Sequence, residues 1–423
     1  MARSTHTRHE FPEKGIDHQQ VLDRMKQLKS ADADWRGGRT WSLLYPAGED
    51  VDRLLSDANN LYLYENALNP FRFPSLRQME TDVVGMTASL LNAPDEADGC
   101  MTSGGTESII MAVKTARDRA RAEREVTRPE IVVPESAHPA FHKAASYLGL
   151  TVRLIPLRED LRADVDAAAS LINDQTALVV GSAPNYPFGV IDPIPELAAL
   201  AADRDISFHT DACVGGFLLP FLERLGRPVP PFDFRVPGVT TISADVHKYG
   251  YATKGASVVL HRDALHLRKY QLFLYDAWPG GTYGSFAMAG ARPAAPIAAA
   301  WAVLHYLGMD GYLRLASVLD ETAQKIRTGI EAIPGLRVIG DPAATVLAFG
   351  SETMDIFAVG DVMDDRGWHL DRQKGPNALH MMISPVHAGI ADAFLGDLHQ
   401  AVADHGISRG QEARYSGPAD REA

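Results

Sequence analysis

Six short apolar stretches, most of them separated by segments of helix length, constrain this chain more than any other feature. They lie at residues 130–133, 152–155, 177–181, 206–210, 239–242 and 257–260, each bounded by Pro, Gly or charged residues. Segments 139–148, 164–172 and 194–203 have the length and composition of helices. Strands this short and this apolar are buried on both faces. Alternation with helices then predicts an α/β fold, a mainly parallel sheet covered by helices. Ligands of such sheets lie beyond the carboxyl ends of the strands.

Upstream, helices are expected at 17–29, with Val21, Leu22, Met25 and Leu28 on one face, and at 51–64 and 75–91. Downstream, a helical run at 293–307 precedes a long helix at 313–333. Strands at 336–339, 346–349 and 379–383 and a helix near 356–366 then suggest a small C-terminal α+β domain. The expected division is an N-terminal arm with helices over 1–64, a large domain over 65–310 and a small domain over 311–423. The ends at 1–15 and 409–423 are polar, and at least partial disorder is expected there.

A chain of 423 residues suits one large and one smaller domain. Its net charge of -13 argues against a general nucleic-acid or anionic-membrane surface. Two cysteines, Cys100 and Cys213, build neither a disulfide framework nor a cysteine zinc site, and no metal site is expected. The most apolar stretch, 294–307, is too short to span a bilayer and contains His305. No signal-peptide core opens the sequence, so a cytoplasmic location is expected.

Three anchors stand at the ends of these elements. Thr102-Ser103-Gly104-Gly105-Thr106-Glu107-Ser108 opens a helix. Gly104 and Gly105 permit close backbone approach, Thr106 is the expected N-cap, and the free amides make an anion site. Asp211 ends the stretch Ile206-Ser207-Phe208-His209-Thr210, where a buried carboxylate needs a cationic or hydrogen-bonding partner. Lys248 follows in Ser243-Ala244-Asp245-Val246-His247-Lys248-Tyr249-Gly250. Burial and a positively charged His247 are expected to lower its pKa and free the amine. A phosphate cup, an acid and an amine in this order are the anchors of pyridoxal 5'-phosphate (PLP). The cup takes the phosphate, the acid pairs with the pyridine nitrogen and the lysine forms the Schiff base. His138, after the stretch at 131–133, is placed to stack on the pyridine face, and His247 to bond the phosphate. Singly, each has a plainer explanation: a helix start, a turn cap, a solvated lysine, a packed histidine.

Together, these residues resemble the sphingosine-1-phosphate lyases of the PLP-dependent decarboxylase-like group. Ser136-Ala137-His138, Gly189-Val190-Ile191-Asp192-Pro193, Asp211-Ala212-Cys213-Val214-Gly215-Gly216-Phe217, Phe232-Asp233-Phe234-Arg235-Val236 and Gly280-Gly281-Thr282-Tyr283 extend the likeness from about Trp35 to about His387, and it includes Trp368. The resemblance implies a fold-type I PLP-dependent transferase-like enzyme, active as a homodimer with shared sites. It implies retro-aldol cleavage between C2 and C3 of a phosphorylated sphingoid base, giving a fatty aldehyde and phosphoethanolamine. Lys248 is then the Schiff-base residue, Asp211 the pyridinium partner and His138 the stacking imidazole. Gly104, Gly105, Thr106 and His247 hold the cofactor phosphate, with Gly281 and Thr282 supplied by the partner subunit. Tyr45, Tyr186 and Lys254 match positions tied to substrate phosphate or proton transfer. The proton-transfer base stays open among Tyr186, His138, Lys248 and bound phosphate.

Asn69 stands where the family typically has histidine. Together with the shared scaffold, it leaves a PLP-dependent L-amino-acid decarboxylase as the alternative. No segment matches the membrane anchor of eukaryotic members, so no integral membrane association is expected. A scaffold that keeps the fold without the chemistry is the remaining reading, and the intact anchors argue against it.

Overall fold

The computed structural model describes residues 10–411 and 413–415, with the side chains of 267 and 268 left aside. The polar extremes at 1–9 and 416–423, for which disorder is expected, fall outside the described residues.

Seven strands form the central sheet: β1 (Asp98–Thr102), β2 (Glu130–Pro134), β3 (Thr151–Ile155), β4 (Thr176–Ser182), β5 (Ser207–Asp211), β6 (Thr241–Ala244) and β7 (Ser257–His261). Their order is β1-β7-β6-β5-β4-β2-β3. Only β7 runs against the rest. Every residue of β2, β4, β5, β6 and β7 is buried. That accounts for their near-continuous apolar signal.

Helices α1 (His18–Lys29), α2 (Glu49–Leu61), α3 (Pro74–Leu90), α4 (Gly105–Arg124), α5 (Ala140–Leu148), α6 (Val165–Leu171), α7 (Ile194–Ala202) and α8 (Leu219–Arg224) accompany the sheet, followed by the short turn α9 (Ala264–His266). A two-stranded ribbon, β8 (Phe273–Tyr275) and β9 (Tyr283–Ser285), projects beyond it. The long helix α10 (Ala295–Glu331) leads to a four-stranded antiparallel sheet. Its strands are β10 (Arg337–Val338), β11 (Val346–Gly350), β12 (Asp371–Gln373) and β13 (Ala378–Met382), packed with α11 (Ile356–Asp365) and α12 (Ala391–Asp404).

Four differences separate the structure from the sequence reading. Strand β1 is absent from the expected set because Asp98-Gly99-Cys100-Met101-Thr102 lacks an apolar run. Gly99 serves close approach there: a Cβ would lie 2.4 Å from the Val259 carbonyl oxygen. The strand expected at 239–242 is shifted to 241–244. At Thr240 the backbone N–H bonds the Phe208 carbonyl at 3.0 Å, but the Phe208 N–H is taken at 3.0 Å by the Thr240 side chain and not by a backbone carbonyl. The two helical runs around 293–333 merge into α10, broken only at Gly308, whose φ is 54°. The apolar face expected on α1 buries nothing within the chain, and Met25 and Leu28 are exposed.

The fold puts one set of ends to use. The carboxyl ends of β1, β2, β4, β5 and β6 all open on the same edge of the sheet. The small domain meets that edge where the Tyr249 hydroxyl donates to the Ile383 carbonyl at 2.9 Å, and the N-terminal arm is clamped to the small domain by Trp41. The Trp41 ring is fully buried, stacks on His387 with centroids 4.0 Å apart, and touches Phe394 at 4.5 Å. Its carbonyl accepts from the Met382 N–H at 2.5 Å. Replacing Trp41 with Ala removes a fully buried indole and should cost about 3–5 kcal/mol of unfolding free energy, read by denaturant titration. A loss below about 1 kcal/mol would show that this junction carries little load.

Candidate active site

Each strand end delivers part of one cleft of about 610 Å³. After β1 come Gly104, Gly105 and Thr106; after β2, His138; after β4, Tyr186; at the end of β5, Asp211; after β6, His247, Lys248 and Lys254. Tyr45, four residues beyond the Trp41 anchor, and Met382 at the end of β13 close the other side.

Lys248 is the centre of charge. Its Nζ lies 2.8 Å from Asp245 Oδ2. Burial, the largest single influence, opposes the ammonium, but the neighbours together, Asp245 first among them, hold the Lys248 pKa well above the ordinary lysine value. Asp245 in turn stays below the usual carboxylate range: burial opposes its charge, while Lys248 favours it. This corrects the expectation of a free amine. The positive neighbour expected at His247 is also missing, since burial pushes its pKa down to about 4. His247 Nδ1 accepts the Ala256 N–H at 3.2 Å. A neutral ring therefore carries its proton on Nε2.

Helix α4 begins two residues earlier than expected, with Gly104 as its N-cap and Thr106 inside the first turn. The Glu107 carboxylate reaches back to the Ser103 N–H at 2.7 Å and Oγ at 2.5 Å, and so organises the turn. The first amides of α4 lie against the cleft with the positive end of the helix dipole. A Cβ on Gly105 would sit 2.8 Å from Cys213 Sγ and 2.9 Å from Asp245 Oδ2. No side chain fits between the helix start and the Lys248–Asp245 pair.

Asp211 accepts the Cys213 N–H at 3.1 Å and the Ser243 hydroxyl at 3.3 Å. Its rear neighbour His209 bonds Thr241 and Ser243 and is kept neutral, its pKa pushed by burial to about 4. His138 Nδ1 accepts the Ala140 N–H at 3.1 Å, and burial lowers its pKa. Tyr186 Oη donates to Asp371 Oδ2 at 3.3 Å. Burial, then Asp371, raises its pKa far above the usual phenol value. Lys254 Nζ lies 4.7 Å over the Tyr45 ring, and burial with Lys248 lowers its pKa to about 8.

Ten of the thirteen residues singled out in the sequence line this cleft: Tyr45, Gly104, Gly105, Thr106, His138, Tyr186, Asp211, His247, Lys248 and Lys254. Asn69 does not. It is exposed, and its Oδ1 caps a turn by accepting the Phe71 and Arg72 amides at 3.0 and 3.2 Å. Gly281 and Thr282 are exposed between β8 and β9, outside the cleft of their own chain. Asp245, Asp371 and Tyr415 are the additions. Asp245 stood in the quoted motif, where adjacency gave no sign of its pairing.

A family model described as "Pyridoxal-dependent decarboxylase conserved domain" matches residues 4–351. A rice protein named sphingosine-1-phosphate lyase is 45% identical over 403 residues, covering 93% of this chain and 74% of its own length. The solved sphingosine-1-phosphate lyase of Burkholderia pseudomallei is 41% identical, with a TM-score of 0.91 over 95% of this chain and 94% of that one. The chain belongs to the sphingosine-1-phosphate lyases of the pyridoxal-dependent decarboxylase family. A Lactobacillus brevis glutamate decarboxylase shares the fold, with a TM-score of 0.84 over 94% of this chain and 95% of that one at 20% identity.

The cofactor of the family is pyridoxal 5'-phosphate, and the cleft has the donor set for it. The close-packed glycine at 105, the open helix amides and the neutral imidazole of His247 suit a phosphate, and the buried amine suits an aldehyde. Gly105→Ala should weaken cofactor binding at least about tenfold, since its methyl occupies the contact between helix and carboxylate. Absorbance titration with pyridoxal phosphate measures this. Unchanged affinity in the variant would mean the phosphate binds elsewhere.

Proposed function

We propose that this protein cleaves the C2–C3 bond of sphingosine 1-phosphate or a close analogue, releasing a fatty aldehyde and phosphoethanolamine. The carrying observation is a second cation, Lys254, in the cleft that holds the Lys248–Asp245 pair. A cofactor needs one amine for its aldehyde. The additional ammonium over the Tyr45 ring provides for a second anion, the substrate phosphate. The similarity to proteins named sphingosine-1-phosphate lyase supports the same reading.

In this reading Lys248 Nζ would be the covalent attachment point and Asp211 would pair with the pyridine nitrogen. His138 would face the ring, and Gly104, Gly105, Thr106 and His247 would hold the cofactor phosphate. The bound cofactor supplies an electron sink for the charge left at C2. Lys254 and Tyr45 hold the substrate phosphate. Tyr186 stays a neutral phenol, with its proton engaged by Asp371 and an oxygen lone pair left for a substrate hydroxyl. The neutral His138 ring has its Nδ1 lone pair occupied by Ala140. Neither offers a free basic atom. That leaves the substrate phosphate as the proton acceptor for the 3-hydroxyl, with the Lys248 amine able to share the task only in its uncharged form.

The same reading takes the protein as a cytoplasmic homodimer in which Gly281 and Thr282 complete the partner's cofactor phosphate site. The exposed position of these two residues supports it, as do the exposed apolar Phe71, Phe273, Leu274 and Trp278. No helix among the described residues is long and apolar enough to cross a membrane. We take residues 65–310 as the cofactor-bearing domain, 311–423 as the covering domain and 1–64 as the arm. In the single chain Asn69 is a turn cap, and a substrate contact for it would require the partner.

Incubation with sphingosine 1-phosphate should yield the aldehyde and phosphoethanolamine, and Lys248→Ala should abolish both. Cofactor binding without product would move the activity to other amines, starting with amino acids and released carbon dioxide. Lys254 is charged below about pH 8 and neutral above it. Hence kcat/KM for the phosphorylated substrate should fall as pH rises through about 8. Lys254→Arg should carry that limb to higher pH, because a guanidinium keeps its proton. An unchanged alkaline limb in the Arg variant would remove Lys254 from phosphate binding.

A further inference from the structure

We propose that Tyr415 is a positioning residue of the cleft, a phenol from the C-terminal segment that fixes the His138 imidazole by its Nε2 edge and roofs the site beside Tyr186. The inference rests on the reading of His138 as the imidazole that faces the cofactor.

Tyr415 comes from a segment tied down before it reaches the cleft. The Arg409 N–H donates to Asp361 Oδ2 at 2.6 Å, and its guanidinium to Asp365 Oδ1 at 2.9 Å. Asp361 is itself buried on α11 and paired with Arg372 at 2.7 Å. From this root the chain crosses to the large domain. The Tyr415 hydroxyl lies 3.1 Å from His138 Nε2, and its ring stands edge-on to Tyr186 with centroids 4.9 Å apart.

The protons have one consistent arrangement. His138 Nδ1 accepts the Ala140 N–H. The neutral ring therefore carries its proton on Nε2 and donates it to the Tyr415 oxygen. Both ring nitrogens are then engaged, one by the start of α5 and one by the tail. Rotation of the imidazole would break both bonds, so its plane is set without contact from any other hydrogen-bonding group among the described residues. The Tyr415 proton is not used in this exchange and is free to point into the cleft. Tyr186 has the opposite polarity, with its proton on Asp371 and its lone pair free. The two phenols thus offer one donor and one acceptor side by side.

Two variants of the cofactor-loaded protein test this, Tyr415→Phe and a chain ending at Gln411. Two readouts need no substrate: the circular dichroism of the bound cofactor and the rate at which hydroxylamine strips it. Phe keeps the ring and loses the bond to His138, so the dichroic band should change while cofactor affinity holds. Turnover of sphingosine 1-phosphate should fall about tenfold in kcat with KM within a factor of about three. The shortened chain loses the roof and should be stripped about tenfold faster. Wild-type dichroism and kcat in Tyr415→Phe would overturn the positioning role, even if shortening the chain speeds stripping. Were the wild-type protein to turn over no phosphorylated sphingoid base while the cofactor readouts shifted as stated, the functional reading would fail and this inference would stand.

Discussion

The buried ion pair between Lys248 and Asp245 is the constraint on which the rest of the site depends. An ammonium in this setting must be paired, because an unmatched buried charge destabilises a fold by about 3–5 kcal/mol. The pair forms within one turn after β6, where the Lys248 N–H also bonds the Asp245 carbonyl at 3.2 Å. The turn is held from three directions. The Tyr249 hydroxyl donates to the Ile383 carbonyl at 2.9 Å and Tyr312 to the Gly250 carbonyl at 2.8 Å, while Gly105 packs flat against the carboxylate. Small domain, long helix and phosphate-facing helix therefore all bear on three residues of one loop. The amine is stored charged beside its counter-ion, and an arriving aldehyde must take it from Asp245.

Around that pair the other titratable groups are mostly kept neutral. Burial holds His138, His209 and His247 below the ordinary histidine value, and Tyr45 and Tyr186 above the ordinary phenol value. Their hydrogen-bond partners then decide which atom carries each proton. The Ala256 amide leaves the His247 proton on Nε2, 3.6 Å from Asp245 Oδ2, and the Ala140 amide leaves the His138 proton on Nε2, toward Tyr415. Backbone groups thus set the polarity of the cleft. The proposed reaction, with two phosphates and a carbanion to hold, would gain from donors fixed in advance, since little reorganisation would remain at the moment of reaction.

Much of this arrangement was legible in the sequence. Fully buried parallel strands leave unbroken apolar runs, so β2, β4 and β5 stood out, and with them the loop ends carrying His138, Tyr186 and Asp211. Lys248 stood out because a histidine and a lysine at such an end are costly to place without a purpose. What escaped notice depends on contacts between distant parts. Strand β1 is carried by Gly99 and has no apolar pattern. Asp371 meets Tyr186, and Tyr415 meets His138, across 185 and 277 positions, and no local pattern marks either. The charge on Lys248 was misjudged for a related reason: burial alone predicts a neutral amine, and only the position of Asp245 reverses the sign.

The account stands on Lys248 as the point of cofactor attachment, and Lys254 in the same cleft is the natural competitor. Loading the protein with pyridoxal phosphate, reducing with borohydride and mapping the modified peptide by mass spectrometry decides between them. The account predicts one stable adduct, on Lys248, that persists when Lys254 is replaced with Arg. An adduct on Lys254, or none on either lysine, would contradict it.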